Sequence, residues 1–385
     1  MSKAKHQQLP NLDAVRALAA LIVVVSHIEL QKQEMGFANI RPLVRNFGSI
    51  GVTIFFVLSG FLITYLLVSE HSGKGKINIV NFYFRRILRI WPLYFIVLLF
   101  GIFIFPGDVD GTAIALSIFF LPNIAFMLEK LPGLIDPIWS LGVEEQFYMF
   151  HPHFFRLDRL KKIFNVLIGM FLFFYAVKAC AHILHFEFLK NMLYKARFDC
   201  MMLGAVFAIW CRNYFSGNQF FQVKISPAFL FSQRFQQMLY LGYLAYLGVA
   251  IFVNPAFYND QLLSILTACC IANLALNPNC IISLDNRVLS FIGKISFGLY
   301  LLHKFPIHFM LLSSRAMGIN NLVVENLFVY STSIALALGM AWISFTYYES
   351  YFLKLKDKKF GADAVTTGSN GRRFRLFRKR LLPGT

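Results

Sequence analysis

Charge is what this chain has least of. Charged residues make up 15% of its 385 residues, against about 25% in ordinary soluble domains. Acidic ones are the rarer kind, with 19 Asp and Glu against 37 Lys and Arg. A soluble fold of this length has no means of covering so much apolar surface. Short alternating strands are missing too, which sets aside a membrane β-barrel. The six cysteines (Cys180, Cys200, Cys211, Cys269, Cys270 and Cys280) lie in or near apolar segments and show no metal-ligand spacing. They read as buried free thiols, and no metal is expected. A cleavable leader is not expected either, because the first apolar run follows a short polar tail and lacks a small-residue cleavage site. No internal repeat and no separate soluble domain stand out.

Apolar residues instead make up 57% of the chain, aromatics 17%, and Phe alone numbers 44. Repeated apolar runs of roughly 20 residues are the mark of membrane helices. The sequence therefore predicts an all-α, polytopic integral membrane protein. Eleven apolar segments fall at about 12–30, 47–69, 91–106, 112–128, 138–154, 163–182, 199–211, 238–253, 261–280, 295–313 and 321–347. The net charge of +18 does not point to nucleic acid, because the basic residues cluster between spans and in the tail, as in RRFRLFRKR at 372–380. That is the pattern of cytoplasmic loops. The N-terminal tail, the loops KGKINIVNFYFRRILR and RLDRLKK, and the C-terminal tail are all basic. Facing all four to the cytoplasm requires an even number of spans between them. Residues 112–128 carry Pro122 and Asn123 and follow the acidic loop GDVDG, so they are expected to be re-entrant or surface-lying. Ten spans result, with both termini cytoplasmic. Residues 1–352 form the membrane-embedded domain, and residues 353–385 a basic, disordered tail near anionic lipid headgroups.

One helix invites chemistry. In RALAALIVVVSHIE, Arg16 and His27 are eleven residues apart. That is close to three whole turns, so they share a face about 16 Å apart along the axis. Ala20 and Val23 lie between them as a modest apolar floor. The face offers a cation at one end and an imidazole toward the other, a strip that suits a long, thin ligand with an anionic head. Histidine suits proton transfer near neutral pH, and within a bilayer it marks function by default. The same His also fits a helix end that touches headgroups or bonds across helices. Asp13, three residues before Arg16, is placed to pair with it or to cap the helix.

Four further stretches carry polar groups. In GVTIFFVLSGFLITYLL, Ser59 and Gly60 permit close helix packing. In FYFRRILRIWPLYF, Arg86 and Arg89 share a face just before the third span, Arg85 points elsewhere, and Pro92 fits the start of the next helix. The arginines suit phosphate or simply the positive-inside pattern. In IWSLGVEEQFYMFHP, the adjacent Glu144 and Glu145 lie inside a span and point about 100° apart, so they need partners and serve different tasks. A carboxylate pairing with His27 in the outer half of the bundle would orient the imidazole; pairing with an arginine or the backbone is the other reading. In IGKISFGLYLLHKFPIHFM, Ser296, His303, Lys304 and His308 give a helix polar enough to line a cavity. Gly298 and Pro306 suggest a kink there.

Taken in order, NLDAVRALAALIVVVSH, FFVLSGFLIT, FYFRRILRIWPLYF, WSLGVEEQFY and GKISFGLYLLHKFP resemble the membrane-bound acyltransferase-3 family, O-acyltransferases that modify lipopolysaccharide, Nod factors and other glycans. The resemblance covers most of residues 9–352. It implies a membrane O-acyltransferase in the bacterial inner membrane, with about ten spans. Its acyl donor would be acetyl-CoA from the cytoplasm, a co-substrate rather than a bound cofactor. Its acceptor would be a hydroxyl of a glycan or lipid-linked sugar on the other side. The family's arginine, ten residues and histidine match Arg16 and His27; its Arg-x-x-Arg matches Arg86 and Arg89; its glutamate motif matches Glu144 and Glu145. Two departures stand out: Ala14 and Val15 replace a common Gly-Leu, and Gly142 stands where Ser is common.

The resemblance thus assigns Arg86 and Arg89, with Arg16, to the CoA phosphates. The pantetheine arm is expected in a groove along the first helix. His27 is the expected general base, with Glu144 or Glu145 orienting its ring. A transporter of a polar or anionic solute is the rival, since broken helices and buried charges serve transport too. The absence of an inverted repeat weighs against it.

Overall fold

The computed structural model describes residues 9, 11–104, 110–157, 159–215 and 227–360. The tail motif at 372–380 and most of the acidic loop before residue 112 lie outside them. Among the described residues every regular element is helical. They are α1 (Leu12–Glu34), α2 (Phe47–Lys74), α3 (Ile79–Ile104), α4 (Gly111–Ile118), α5 (Pro122–Met127), α6 (Ile138–Phe150), α7 (Leu160–Ile183), α8 (Glu187–Ala196), α9 (Phe198–Phe215), α10 (Gln233–Gly248), α11 (Asp260–Leu276), α12 (Arg287–Leu302), α13 (Lys304–Ala316), α14 (Leu322–Ile343) and α15 (Ser350–Phe360).

Among the described residues five helical runs are long and apolar enough to cross a bilayer: Phe47–Gly73, Ile79–Ile104, Leu160–Ile183, Gln233–Val253 and Leu322–Phe360. A sixth arises if α12 and α13, bent by 64° at His303, count as one span. Of the other expected spans, α1 and α9 have 23 and 18 residues, and the rest are shorter as helices. The 13 residues of α6 rise only about 20 Å, less than the ~30 Å hydrocarbon core. The segment 112–128 is two short helices, α4 and α5, broken where Pro122 opens the second.

The third span begins earlier than its apolar run suggests. Pro92 lies inside α3 rather than at its start, so Arg86 and Arg89 belong to the same continuous helix as the apolar stretch after them. An internal proline removes one i−4 hydrogen bond, which a helix of 26 residues tolerates. At the other end, α14 runs through a wider turn at Ser344–Glu349 into α15. Residues 353–360, expected to open the tail, are therefore helical; the rest of the tail lies outside the described residues.

Small residues set the packing. α1 lies at the centre, with Ala17, Ala19, Ala20 and Val23 fully buried against α2 and α12. Gly51 of α2 abuts Val23 and the Ala19 carbonyl, and Gly293 of α12 abuts the Asp13 backbone. Gly60 of α2 and Gly204 of α9 face each other's helices so closely that a Cβ on either would overlap the opposing backbone. Without a hydrophobic drive between helices in lipid, such backbone approach is what holds them together. Around this centre, α3, α7, α10 and α14 carry exposed large apolar side chains such as Phe103, Phe173, Leu241 and Leu327, the surface that faces lipid. Of the six cysteines, Cys200, Cys211 and Cys269 are buried as expected, whereas Cys180 is exposed on α7.

Candidate active site

The polar groups gather at two levels along α1. At the first, Arg16 of α1, Arg86 and Arg89 of α3, and Ser59, Glu144 and Tyr148 line one cavity of about 110 Å³. Helical spacing explains the grouping: Arg86 and Arg89 lie three residues apart, and Glu144 and Tyr148 four, so each pair shares a face. Arg16 bonds Asp13 at 2.8 Å, one of the two roles expected for Asp13. The other is not taken up, since the N-cap residue is Asn11, with no side-chain cap. Arg85 turns away and pairs with Glu70 at 3.0 Å.

Glu144 Oε2 accepts from the Tyr148 hydroxyl at 2.8 Å and from Ser59 at 3.1 Å, and these two hydroxyls also touch each other. The Arg86 guanidinium lies over the Tyr148 ring, 5.5 Å from its centroid, and its buried Nε has no hydrogen-bond partner. Glu145 points elsewhere, as adjacent helix positions require, and accepts from the Trp91 indole N–H at 3.2 Å. A neighbouring departure from the family pattern also has a cause. A Cβ at Gly142 would stand 2.6 Å from the Pro122 ring, so serine there would push α5 off α6.

At the second level, His27 Nδ1 lies 2.7 Å from His303 Nε2, with ring centroids 4.9 Å apart. The group that His27 meets is therefore His303, at the α12–α13 bend, and not the expected Glu144 or Glu145. Beyond it, Lys304 is buried and pairs with Asp136 at 2.9 Å. Glu29 and Lys32 are buried as an ion pair, and Tyr330 donates to Glu29 at 2.7 Å.

The two levels are not joined by a groove along α1. Its face between Arg16 and His27 is closed: Ala20 and Val23 are fully buried, and Gly51 of α2 packs on Val23 and the Ala19 carbonyl. Beyond Arg16, the cavity is lined by α2, α3, α6 and α12, as far as Ser140 and Tyr300, whose hydroxyls bond at 2.7 Å. The Tyr300 ring lies 6.2 Å from that of His303. Among the described residues no three His, Cys, Asp or Glu side chains converge as a metal site requires.

Tyr148 and Tyr300 do not stand out in the sequence as site residues. Tyr148 had a signal, one turn after Glu144; Tyr300 had only its place three residues before His303. His303 does stand out there, but its contact with His27 does not, because nothing in the sequence brings residues 276 apart together.

Comparison with known proteins places the chain among acyltransferases. Residues 9–346 match the family model described as an acyltransferase domain. The O-acetyltransferase OatA of Staphylococcus aureus strain NCTC 8325 / PS 47 is 29% identical over 378 residues, covering 91% of this chain and 58% of that protein. OatA of Staphylococcus aureus strain COL matches to the same extent. The chain thus spans 58% of the length of these curated relatives. No solved structure matches it. A match that spans residues 9–346, most of the chain, means that this chain belongs to the acyltransferase-3 family.

Proposed function

We propose that the protein transfers an acyl group, acetyl from acetyl-CoA, to a hydroxyl of a glycan or lipid-linked sugar across the bacterial inner membrane. The observation that carries this reading is the two-level arrangement itself. Three arginines converge on one cavity, and an imidazole stands about three turns farther along the helix that contributes Arg16.

Ten crossings with both termini cytoplasmic underlie the orientation. Element ends support it: Arg197, just before α9, bonds Thr53 near the start of α2 at 2.8 Å, and Asn46 before α2 bonds Ala250 after α10 at 3.0 Å. These ends belong to one side, and the arginine cavity to the other. The donor's phosphates sit among Arg16, Arg86 and Arg89, where guanidinium forks match phosphate oxygens. Glu144 holds Tyr148 and Ser59 in place, and Glu145 anchors Trp91, so both glutamates serve the donor end. The pantetheine arm runs through the cavity between α2, α3, α6 and α12 and passes the Ser140–Tyr300 contact to bring the thioester to His27.

There His27 takes the proton of the acceptor hydroxyl as its oxygen attacks the thioester carbonyl. The tetrahedral intermediate collapses, the C–S bond breaks, and CoA leaves as the thiolate, which takes the proton back from the imidazolium. The alkoxide character of the acceptor thus never builds up unaided.

The test uses membranes from a host carrying the full chain, supplied with [14C]acetyl-CoA, and follows label in membrane glycan. Label incorporated by the wild type and lost in His27→Ala is the expected result. Equal incorporation by the variant rules out His27 as the base.

A further inference from the structure

We infer that His303 is a positioning residue that fixes the proton of His27 on Nδ1 and leaves Nε2 as the basic atom. This rests on the reading of His27 as general base and adds which nitrogen acts and what selects it. Both histidines line up with hydrogen-bond partners that leave little choice. His303 Nδ1 lies 2.9 Å from the Tyr300 carbonyl and 3.1 Å from the Leu299 carbonyl. Carbonyl oxygens only accept, so Nδ1 of His303 carries a proton. For a neutral ring, Nε2 of His303 then has a lone pair and no hydrogen. Its partner at 2.7 Å, His27 Nδ1, must donate. A neutral His27 that donates from Nδ1 has its lone pair on Nε2, the nitrogen pointing away from the pair.

The chain of contacts runs one way: two main-chain carbonyls fix the His303 tautomer, and His303 fixes that of His27. This is the task a carboxylate performs in many base–orienter pairs, but a neutral ring does it here without adding a charge beside the buried Lys304. The Leu299 carbonyl also accepts the His303 main-chain N–H at 3.2 Å, so the closer Tyr300 carbonyl, at the end of the helix, is the main acceptor for the ring. His303 follows Leu302, the last residue of α12, and precedes Lys304, the first of α13. Its ring is fully buried, so water does not compete for either nitrogen.

Asparagine and glutamine separate positioning from structure. His303→Asn can keep a donor near the Nδ1 position and so the bond to the helix end, but it cannot reach His27. His303→Gln can place an amide oxygen where Nε2 was and accept from His27. His303→Leu removes both contacts. With [14C]acetyl-CoA and host membranes as above, Leu and Asn variants should lose about 100-fold or more in maximal rate, with the apparent KM for acetyl-CoA within about threefold. The Gln variant should recover at least about tenfold over Asn. Each variant's melting temperature in detergent is measured alongside; if the Leu variant does not fold, the Gln-to-Asn comparison decides. Asn equal to or better than Gln, or losses that follow melting temperature alone, overturns the inference. Label incorporated by His27→Ala removes the underlying reading instead. An inactive His27→Ala beside fully active His303 variants removes only the role of His303.

Discussion

Gly60→Ala tests how far the arginine-lined cavity depends on backbone contact. The added Cβ would stand 2.8 Å from the Met201 carbonyl carbon and nearer still to its oxygen, where ordinary contact begins at 3.4 Å. The obstacle is backbone, not a flexible side-chain end, so α2 and α9 must part by about 1 Å. Overpacking of this kind costs about 1–3 kcal/mol. Ser59, the preceding residue on α2, donates to Glu144 at 3.1 Å. A 1 Å shift takes that bond beyond useful range, and a buried group left short of a partner costs about 1–3 kcal/mol more. The variant should melt at least about 4 °C below wild type in detergent, and transfer should fall because the Glu144–Tyr148–Ser59 cluster loosens. Gly204→Ala meets the Val57 carbonyl and the Phe61 amide across the same crossing. Once one methyl has parted the helices, the second meets less resistance, so the double variant should be clearly less damaged than the sum of the two. Single variants within 1 °C of wild type, or strict additivity, would refute the claim that this crossing is closed to backbone distance.

Asp136→Ala should destabilise the protein by about 3 kcal/mol, because it strands Lys304, whose side chain is 1% exposed. Asp136→Ala combined with Lys304→Met should recover most of the loss, read as melting temperature. Arg86→Ala and Arg89→Ala should each raise the apparent KM for acetyl-CoA by about 10–100-fold, the scale of a charge-assisted bond. Acetyl-pantetheine, which lacks the nucleotide phosphates, should be used equally well by variants and wild type; a parallel loss with both donors would contradict phosphate binding.

Much of this molecule is legible from local pattern. Three-residue spacing puts Arg86 and Arg89 on one face, and both line the cavity with Arg16. Asp13 pairs with Arg16 as their separation suggests. The interruption read from Gly298 and Pro306 is a bend at His303 itself, a few residues from either. What the sequence hid is who meets whom across helices. The apolar floor of Ala20 and Val23 reads as an open strip when α1 is considered alone. In the bundle both side chains are fully buried, and Gly51 of α2 lets that helix come close enough to close the strip. In the same way, an ionised glutamate looks like the natural partner for a buried histidine, yet Glu144 is already held by two hydroxyls and Glu145 by an indole. Apolar-run length also misleads where a helix carries charge: α3 begins a dozen residues before its apolar stretch because Arg85, Arg86 and Arg89 continue the same turn geometry.

The sealed faces of α1 have a consequence for how material crosses. The helix is tied at its start, where the Asn11 amide donates to Leu274 at 2.9 Å and accepts from Leu284 at 2.7 Å. It is tied again near its end, where Glu29 receives Tyr330, Lys32 and the Ile40 amide. A rod pinned at both ends and flush with its neighbours resists rocking between two openings. On the proposed reading, His27 is stationary, and the traffic comes to it from both sides. The protein then works as a fixed meeting point through which only two carbons pass, while the nucleotide never leaves one compartment and the sugar never leaves the other.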